Sequence, residues 1–537
     1  MRSFAATTHT TPSRPPQGSK TFYAYLIFPI IVLGFAVRLF DCLNVGIINP
    51  DGVLYIHQAR ALYYGNWDQI TTCALNYVSM YPLLIAGSYS IFHDWILSAQ
   101  SISLIFGTLL LLPIYMLMRR FFDERTSAVT TLIVSLIPAL VSRSADVVRD
   151  PVAWFFVAFG VYFFVLQFDS KRCACLTLSS LCFLLAAWNR IEIIVFLGAS
   201  LIFLFLFQRE EKYKRILFFI APLILLVPLL ALVLGTIDSS INDIFRTHAI
   251  INKLFRPILD YKNLRSILAV MIHQPEISQL ELFLEKARHL VWLIALGTLI
   301  VYTIKAFFYP FFLIFVLGLP GTRARTKKDK RLIYLLLICT SMVVMLYFHL
   351  LQTWIIDTRF FVPLLIPACV FMGFGIEKVF YFTNSRFKTR PEITFSIICL
   401  VILAFGLPKN LDTREADKSV IKNIGETIAQ REGNDHIIDV ATSMHILRWT
   451  SFYVNLDYPG SPCPQPYSDF KSIVGKDYKY FLNTLKQRGI KYFIWEEKHW
   501  PKNTFDFMAT FDPRHFKSIK SWTHPDTGQM ILFEVIP

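Results

Sequence analysis

Long apolar runs dominate the first 410 positions, and they constrain this chain more than any other feature. Many reach the roughly 20 residues that a helix needs to cross a hydrocarbon core. Soluble domains do not sustain such runs, and here 54% of all 537 residues are hydrophobic, 49 of them Phe. Backbone polar groups in lipid must be satisfied within the segment, so each run is expected to be a helix. The fold class expected is a polytopic α-helical membrane protein.

Eleven segments fit: roughly 22–42, 96–118, 126–143, 150–168, 173–188, 190–208, 215–236, 290–319, 332–351, 360–382 and 392–408. Run 290–319 is too long for one upright helix and too short for two. A single tilted helix kinked at Pro310 keeps the charge pattern consistent. That pattern consists of five basic clusters: Arg119–Arg120–Arg125, Lys171–Arg172, Arg209–Lys212–Lys214–Arg215, Arg323 to Arg331, and Arg386–Lys388–Arg390. All five fall on one side if the N-terminus is cytoplasmic. The net charge of +15 is thus read as membrane topology, with no nucleic-acid partner implied.

Residues 1–20 are polar and Pro/Thr/Ser-rich, the composition of a disordered cytoplasmic tail. Thr21–Phe40 is too long for a signal-peptide core and lacks a small-residue cleavage site, so it reads as a retained first helix. The helical domain spans 21–408. Its outer side receives a first loop, 43–95, and a long loop, 237–289. The first loop holds an amphipathic helix over 53–66 and an apolar piece, Tyr81–Phe92, too short to span; both read as interfacial helices. The second has amphipathic material around Ile244–Leu259 with Arg246, Lys253, Arg256, Lys262 and Arg265. Residues 409–537 turn polar, with short apolar runs. Strands are expected at Ile437–Val440 and Tyr492–Trp495, a helix at Tyr478–Arg488, and a hairpin joining Phe516–Ser521 to Met530–Val535. This is a small soluble α/β domain without a nucleotide-binding glycine loop. The nine cysteines show no metal spacing and read as small buried hydrophobes, with a Cys42–Cys73 disulfide as the alternative.

Charges beside membrane helices are costly, which makes them candidates for function. Asp51 lies in NPDGVLYIHQARAL, followed at helical spacing by Tyr55, with His57 on the same helix. Asp146, Arg149 and Asp150 lie in SADVVRDPVAW. Arg190 and Glu192 interrupt AAWNRIEIIVF, and Asp357 and Arg359 open the helix of IIDTRFFVPLLIP. Each has a structural alternative: a turn for Asp51, a helix-dipole complement for Asp150, a snorkelling anchor for Arg190, a local pair with Asp357 for Arg359, an exposed surface ring for His57. Their convergence on one side of the bilayer favours a functional site.

These motifs, in this order, resemble the GT-C superfamily of membrane glycosyltransferases: FAVRLFDCLN, the Asp51 loop, YPLLIAGSYSIF, RDPVAWFFVAFGVYFF, NRIEII and TRFFVPLLIPACVFMGFGIE. The resemblance spans roughly 22–410 and is nearest to the bacterial branch similar to the protein O-mannosyltransferases and the lipid A aminoarabinose transferase. It implies sugar transfer from a polyprenyl phosphate on the outer leaflet. It maps the family's catalytic carboxylate onto Asp51 and a second acidic position onto Asp150. Many members have Asp-Glu in the first loop, whereas this chain has Asp51-Gly52. Some members hold a divalent metal near these groups; no metal ligand is assigned in this chain, and a divalent metal stays open as a cofactor.

The expected function is therefore transfer of a sugar from a polyprenyl-phosphate donor to a lipid, glycan or protein acceptor. Asp51 takes the acceptor's proton. Asp150 orients a substrate. Arg190 and Arg359 clamp phosphate or sugar through planar, bidentate donors. Arg149, Glu192, His57 and Tyr55 complete the expected substrate site. The expected location is the inner (plasma) membrane, with the tail domain periplasmic or extracellular. The alternatives are a lipid-linked polysaccharide polymerase or ligase, a transporter or flippase of lipid-linked sugars, and a non-catalytic assembly protein.

Overall fold

The computed structural model describes residues 25–72, 75, 77–235, 247–272, 279–326, 328–388, 390–462, 468–475, 477–502 and 504–536. The expected tail over 1–20, Arg246 and the first residues of the 244–259 stretch, and the Cys73 partner of the Cys42 bridge lie outside these residues.

Each apolar run forms a helix. They are α1 (Ile27–Asn44), α2 (Pro50–Tyr63), α3 (Met80–Phe92), α4 (Trp95–Met118), α5 (Glu124–Ser135), α6 (Pro138–Ser144), α7 (Asp150–Ser170), α8 (Ala174–Asn189), α9 (Ile194–Phe207), α10 (Lys212–Gly235), α11 (Thr247–Ile272), α12 (Glu281–Phe307), α13 (Tyr309–Thr326), α14 (Lys330–Thr353), α15 (Val362–Phe387) and α16 (Pro391–Asn410). Seven of the described helices are long and apolar enough to cross a membrane, and eight if the bent pair α5–α6 counts as one span. Pro138 opens α6 after a 59° bend, because its ring cannot continue α5.

Run 290–319 is two helices. The break falls at Phe308, whose φ of +66° ends α12, and not at Pro310 in the first turn of α13. Lys305 at the end of α12 lies beside Asp41, Thr358 and Arg414, so α12 reaches the same end of the bundle as Asp51. From there α13 returns to the opposite end, where Arg325 pairs with Glu377 of α15 at 3.0 Å. The helices after α13 thus keep the orientation that the basic clusters imply. Helices α13 and α15 touch backbone to backbone: a Cβ on Gly318 or Gly375 would overlap a carbonyl of the partner, so small residues set this close crossing.

The basic clusters gather at one end of the bundle. Arg120 and Arg331 both reach Asp169, Arg125 reaches Glu392, and Lys330 donates to the Phe207 carbonyl. The motif charges lie at the other end. Between them, one hydrophobic core runs from Ile30 through Trp154, Phe164 and Tyr334 to Ile402.

The tail folds around a four-stranded sheet of order β1-β2-β4-β3: β1 (Val440–Ala441), β2 (Tyr492–Glu496), β3 (Phe516–His524) and β4 (Gly528–Val535). β1 and β2 are parallel, and β3–β4 is the expected hairpin. Helix α19 (Tyr478–Gln487) covers one face through Phe481 and Leu485, and α17 (Ser419–Glu432) with α18 (Leu447–Val454) covers the other. The second core does not stop at the tail. It joins Ile424, Phe452 and Ile494 to Ile48, Val53, Ile56 and Tyr81 of the first loop. Consequently α2 is buried along all of Gly52–Ala61, covered where an interfacial helix would expose one face. Helix α3 keeps Leu83, Ile91 and Phe92 exposed.

Candidate active site

Helix α2 begins in a way that fixes Asp51. Pro50 occupies its first turn, where a missing N–H costs nothing. The Asn49 side chain accepts from the Asp51 amide at 3.0 Å. The Asn49 amide in turn donates to Asp146 at 2.9 Å, which also accepts from Val147 at 2.8 Å. Asp146 is buried, and burial pushes its carboxyl above the usual range against the pull of Arg143 and Arg414. Gly52 rests on the same turn: a Cβ there would stand 2.6 Å from the Val147 carbonyl oxygen. The residue beside Asp51 therefore has no room for any side chain, acidic or not.

The Asp51 carboxylate is 38% exposed, and Arg359 donates to its Oδ2 at 3.1 Å. Among the described residues Oδ1 carries no hydrogen bond. Arg359 is itself held by neighbouring charges. Asp357 caps its amide at 3.1 Å and takes a 2.6 Å bond from Arg143, which also reaches Asp146 at 3.5 Å. Burial opposes ionisation of Asp357, but Arg143 and the Arg359 amide outweigh it and hold the carboxyl below its ordinary range. The pairing considered from sequence, Arg359 with Asp357, is therefore a backbone cap, and the Arg359 side chain serves Asp51.

A second charged group adjoins the first. Arg190 and Asp150 form a buried ion pair, and Glu192 lies 3.7 Å from Arg190. Arg190 is thus enclosed rather than snorkelling. The Phe360 ring separates the two groups, with Arg190 4.7 Å and Arg359 5.4 Å from its centre. Arg149 lies over Tyr55 and Tyr77, at 5.6 and 5.2 Å, and its buried Nη1 has no hydrogen-bond partner among the described residues. Tyr55 is within electrostatic reach of Asp51, Asp150 and Arg149, and burial pushes its hydroxyl well above the usual range, so it stays neutral.

Seven of the expected site residues thus come together: Asp51, Tyr55, Arg149, Asp150, Arg190, Glu192 and Arg359. His57 does not join them. It is 1% exposed and lies edge-on to Phe452 of the tail, 5.9 Å between ring centres, neither at the surface nor at the site. Arg143, Asn49 and Tyr77 belong to the constellation but were missed. Arg143 precedes Asp146 by three residues at the end of a Pro-started helix, which is the signal that was available for it.

Among the described residues no three His, Cys, Asp or Glu side chains are placed to hold a metal ion. The two candidate carboxylates each give an oxygen to an arginine instead. The donor set, rich in arginine, suits anions.

In comparison with known proteins, residues 79–234 match the family described as dolichyl-phosphate-mannose-protein mannosyltransferase. The structure resembles the oligosaccharyltransferase of Archaeoglobus fulgidus, tethered with an acceptor peptide, with a TM-score of 0.56 at 11% identity, covering 94% of this chain and 74% of that one. It also resembles ArnT from Cupriavidus metallidurans bound to undecaprenyl phosphate, with a TM-score of 0.54 at 12% identity, covering 96% and 99%. The chain has the GT-C fold. It is a multi-pass membrane protein whose fold is similar to that of ArnT. The archaeal oligosaccharyltransferase AglB from Archaeoglobus fulgidus, in complex with an inhibitory peptide and a dolichol-phosphate, is also similar, with a TM-score of 0.54 at 11% identity over 95% of this chain and 74% of that one. No curated protein matches the sequence.

Proposed function

We propose that this protein transfers a sugar from a polyprenyl-phosphate donor to an acceptor hydroxyl at the outer face of the inner membrane. The observation that carries the reading is the asymmetry of Asp51. One of its oxygens is fixed by Arg359, while the side chain remains 38% exposed with Oδ1 unoccupied among the described residues. A carboxylate so held can accept a proton without moving. The GT-C neighbours that carry dolichol-phosphate or undecaprenyl phosphate support the donor class.

In the step we propose, the acceptor oxygen attacks the anomeric carbon and its proton passes to Asp51 Oδ1. The bond from that carbon to the phosphate oxygen breaks, and polyprenyl phosphate leaves with the electron pair. Its growing charge falls to Arg190, Arg149 and Arg359, which are aimed before the reaction and cost no reorganisation during it. Direct displacement inverts the anomeric centre. Asp150 holds Arg190 in place rather than meeting the sugar. The basic clusters at the far end face the cytoplasm, and the tail faces outward.

Purified protein in vesicles loaded with a radiolabelled polyprenyl-phosphate sugar tests this. The reading predicts that sugar leaves the lipid and polyprenyl phosphate accumulates. Intact glycolipid redistributed between leaflets would instead identify a flippase. In parallel vesicles loaded instead with a polyprenyl-diphosphate-linked glycan, release of polyprenyl diphosphate would identify a polysaccharide polymerase or ligase.

A further inference from the structure

A cavity of about 220 Å3, with several charged groups on its walls, opens at the Asp51 end of the bundle. Its walls are the ends of three helices, α1, α12 and α16, together with α6, and Asp41, Ser142, Lys305, Thr358, Lys409 and Arg414 are among the lining residues. The three helices are peripheral: their apolar segments are only 28%, 28% and 22% buried. Their outer faces carry Phe35 and Phe40, Ile300 and Val301, and Leu400 and Val401, all exposed. In a membrane these side chains face lipid, which puts the cavity where the acyl region meets the headgroups.

The charges around the cavity do not balance locally. Arg414 gives Nε and Nη2 to Asp41, each at 2.8 Å, and Nη2 also to the Ser142 carbonyl at 3.0 Å. That pair neutralises itself, and Nη1 of Arg414 is left without an acceptor among the described residues. Lys409 meets Asp412 at 3.5 Å, with both side chains more than half exposed, so the pair is weak. Lys305 pairs with no carboxylate among the described residues; its ammonium lies 5.2 Å from the Tyr302 ring centre. Lys305 and Lys409 each stand in the last turn of a helix, where a cation complements the macrodipole. The dipole explains each lysine singly. It does not explain why both converge with Arg414 on one cavity that has room for several waters or a phosphate.

We propose that this cavity binds the headgroup phosphate of an anionic bilayer phospholipid, with Lys305, Lys409 and Arg414 Nη1 as donors. The acyl chains lie along the exposed faces of α12 and α16. A basic pocket between helix ends, open sideways to lipid, is suited to such a headgroup. Thr358 lines the cavity and donates to Asp357 at 3.1 Å, so a bound lipid shares a wall with the network that holds Arg359. The proposal concerns binding and stands apart from the transferase reading.

The test uses full-length protein in phosphatidylcholine discs with and without about one-fifth phosphatidylglycerol. Native mass spectrometry counts the lipids retained. Wild type is expected to keep phosphatidylglycerol over phosphatidylcholine by roughly tenfold or more, and the Lys305→Gln/Lys409→Gln protein to lose that preference. Both side chains are exposed, so melting in pure phosphatidylcholine should match wild type. Equal retention of both lipids by wild type, or an unchanged preference in the variant, would overturn the proposal. Inorganic phosphate alone displacing the retained lipid would also overturn it, by marking a soluble-anion site.

Discussion

At the start of α2 a carboxylate stands half-exposed with a single arginine on it. Nine residues later, Arg60 is wholly buried under the tail. It gives Nε to the Gly460 carbonyl at 2.8 Å, Nη1 to Asn455 and Leu456 at 3.1 and 3.2 Å, and Nη2 to Tyr458. Burial pulls this guanidinium down to about 10. Trp449 and Tyr453 bond the backbone of Ile48 on the approach to the helix. One end of α2 is thus anchored by the tail and the other is left open for substrate. The comparison teaches that the tail domain works through position: it fixes the helix whose free end carries Asp51. A side chain is easier to hold within the narrow limits of catalysis on a rigid, packed element than on a loop.

If this division is right, the largest effect comes from disturbing the junction between the two ends. Gly52→Glu restores an acidic neighbour to Asp51, yet it drives a long side chain into the Val147 carbonyl. We expect no rescue of a second acid. Transfer should be lost in membrane assays, and the melting temperature should fall with it, since overpacking costs about 1–3 kcal/mol or more. A Gly52→Glu protein of wild-type activity would break the comparison.

Next in size is the anchored end. Arg60→Ala leaves four carbonyls without their donor, a loss on the order of 3 kcal/mol. The tail should become sensitive to limited proteolysis near 411–418, where it leaves α16, while donor lipid still binds. Were proteolysis unchanged and donor binding lost instead, Arg60 would belong to the site.

The effect that is smallest near neutral pH is a titration. His57 is buried beside Phe452, and burial, with Arg60 nearby, holds its pKa down to about 3. An unfolded histidine titrates near 6.5. As pH falls from about 6.5 towards 3, the unfolded chain takes up a proton that the folded ring refuses. Stability therefore declines across that window, by at most about 1.4 kcal/mol per pH unit, and His57 contributes nothing to the slope above it. His57→Phe should flatten the acid side of the melting-temperature profile and leave the neutral side unchanged. An acid limb unaltered by the substitution would place the titration elsewhere.

The two ends of α2 also differ in how far they can be read from sequence. Asp51, Asp150, Arg190 and Arg359 are charges at the ends of apolar helices, and their cost in a membrane makes them visible. Seven of the helices are visible for a related reason, since they are apolar runs of spanning length. Arg60 was not visible: its partners lie about 400 residues away in a loop with no motif, and they are backbone carbonyls. His57 misled because periodicity assigns a face to lipid or water but does not reveal that another domain will cover it. The break at Phe308 escaped notice because nothing in the local sequence distinguishes that residue from its apolar neighbours, and the visible breaker, Pro310, fits the first turn of a new helix. Gly52 could be seen as a departure from the family pattern, but its cause, the Val147 carbonyl, belongs to tertiary contact alone.

The central claim is that transfer depends on the free oxygen of Asp51. Single-turnover transfer by Asp51→Asn, in vesicles saturated with polyprenyl-phosphate sugar, tests it most directly. The amide keeps an oxygen for Arg359 but cannot take a proton. The account predicts a rate lower by roughly 10²–10⁴-fold, with unchanged melting and donor binding. A rate equal to wild type would contradict it.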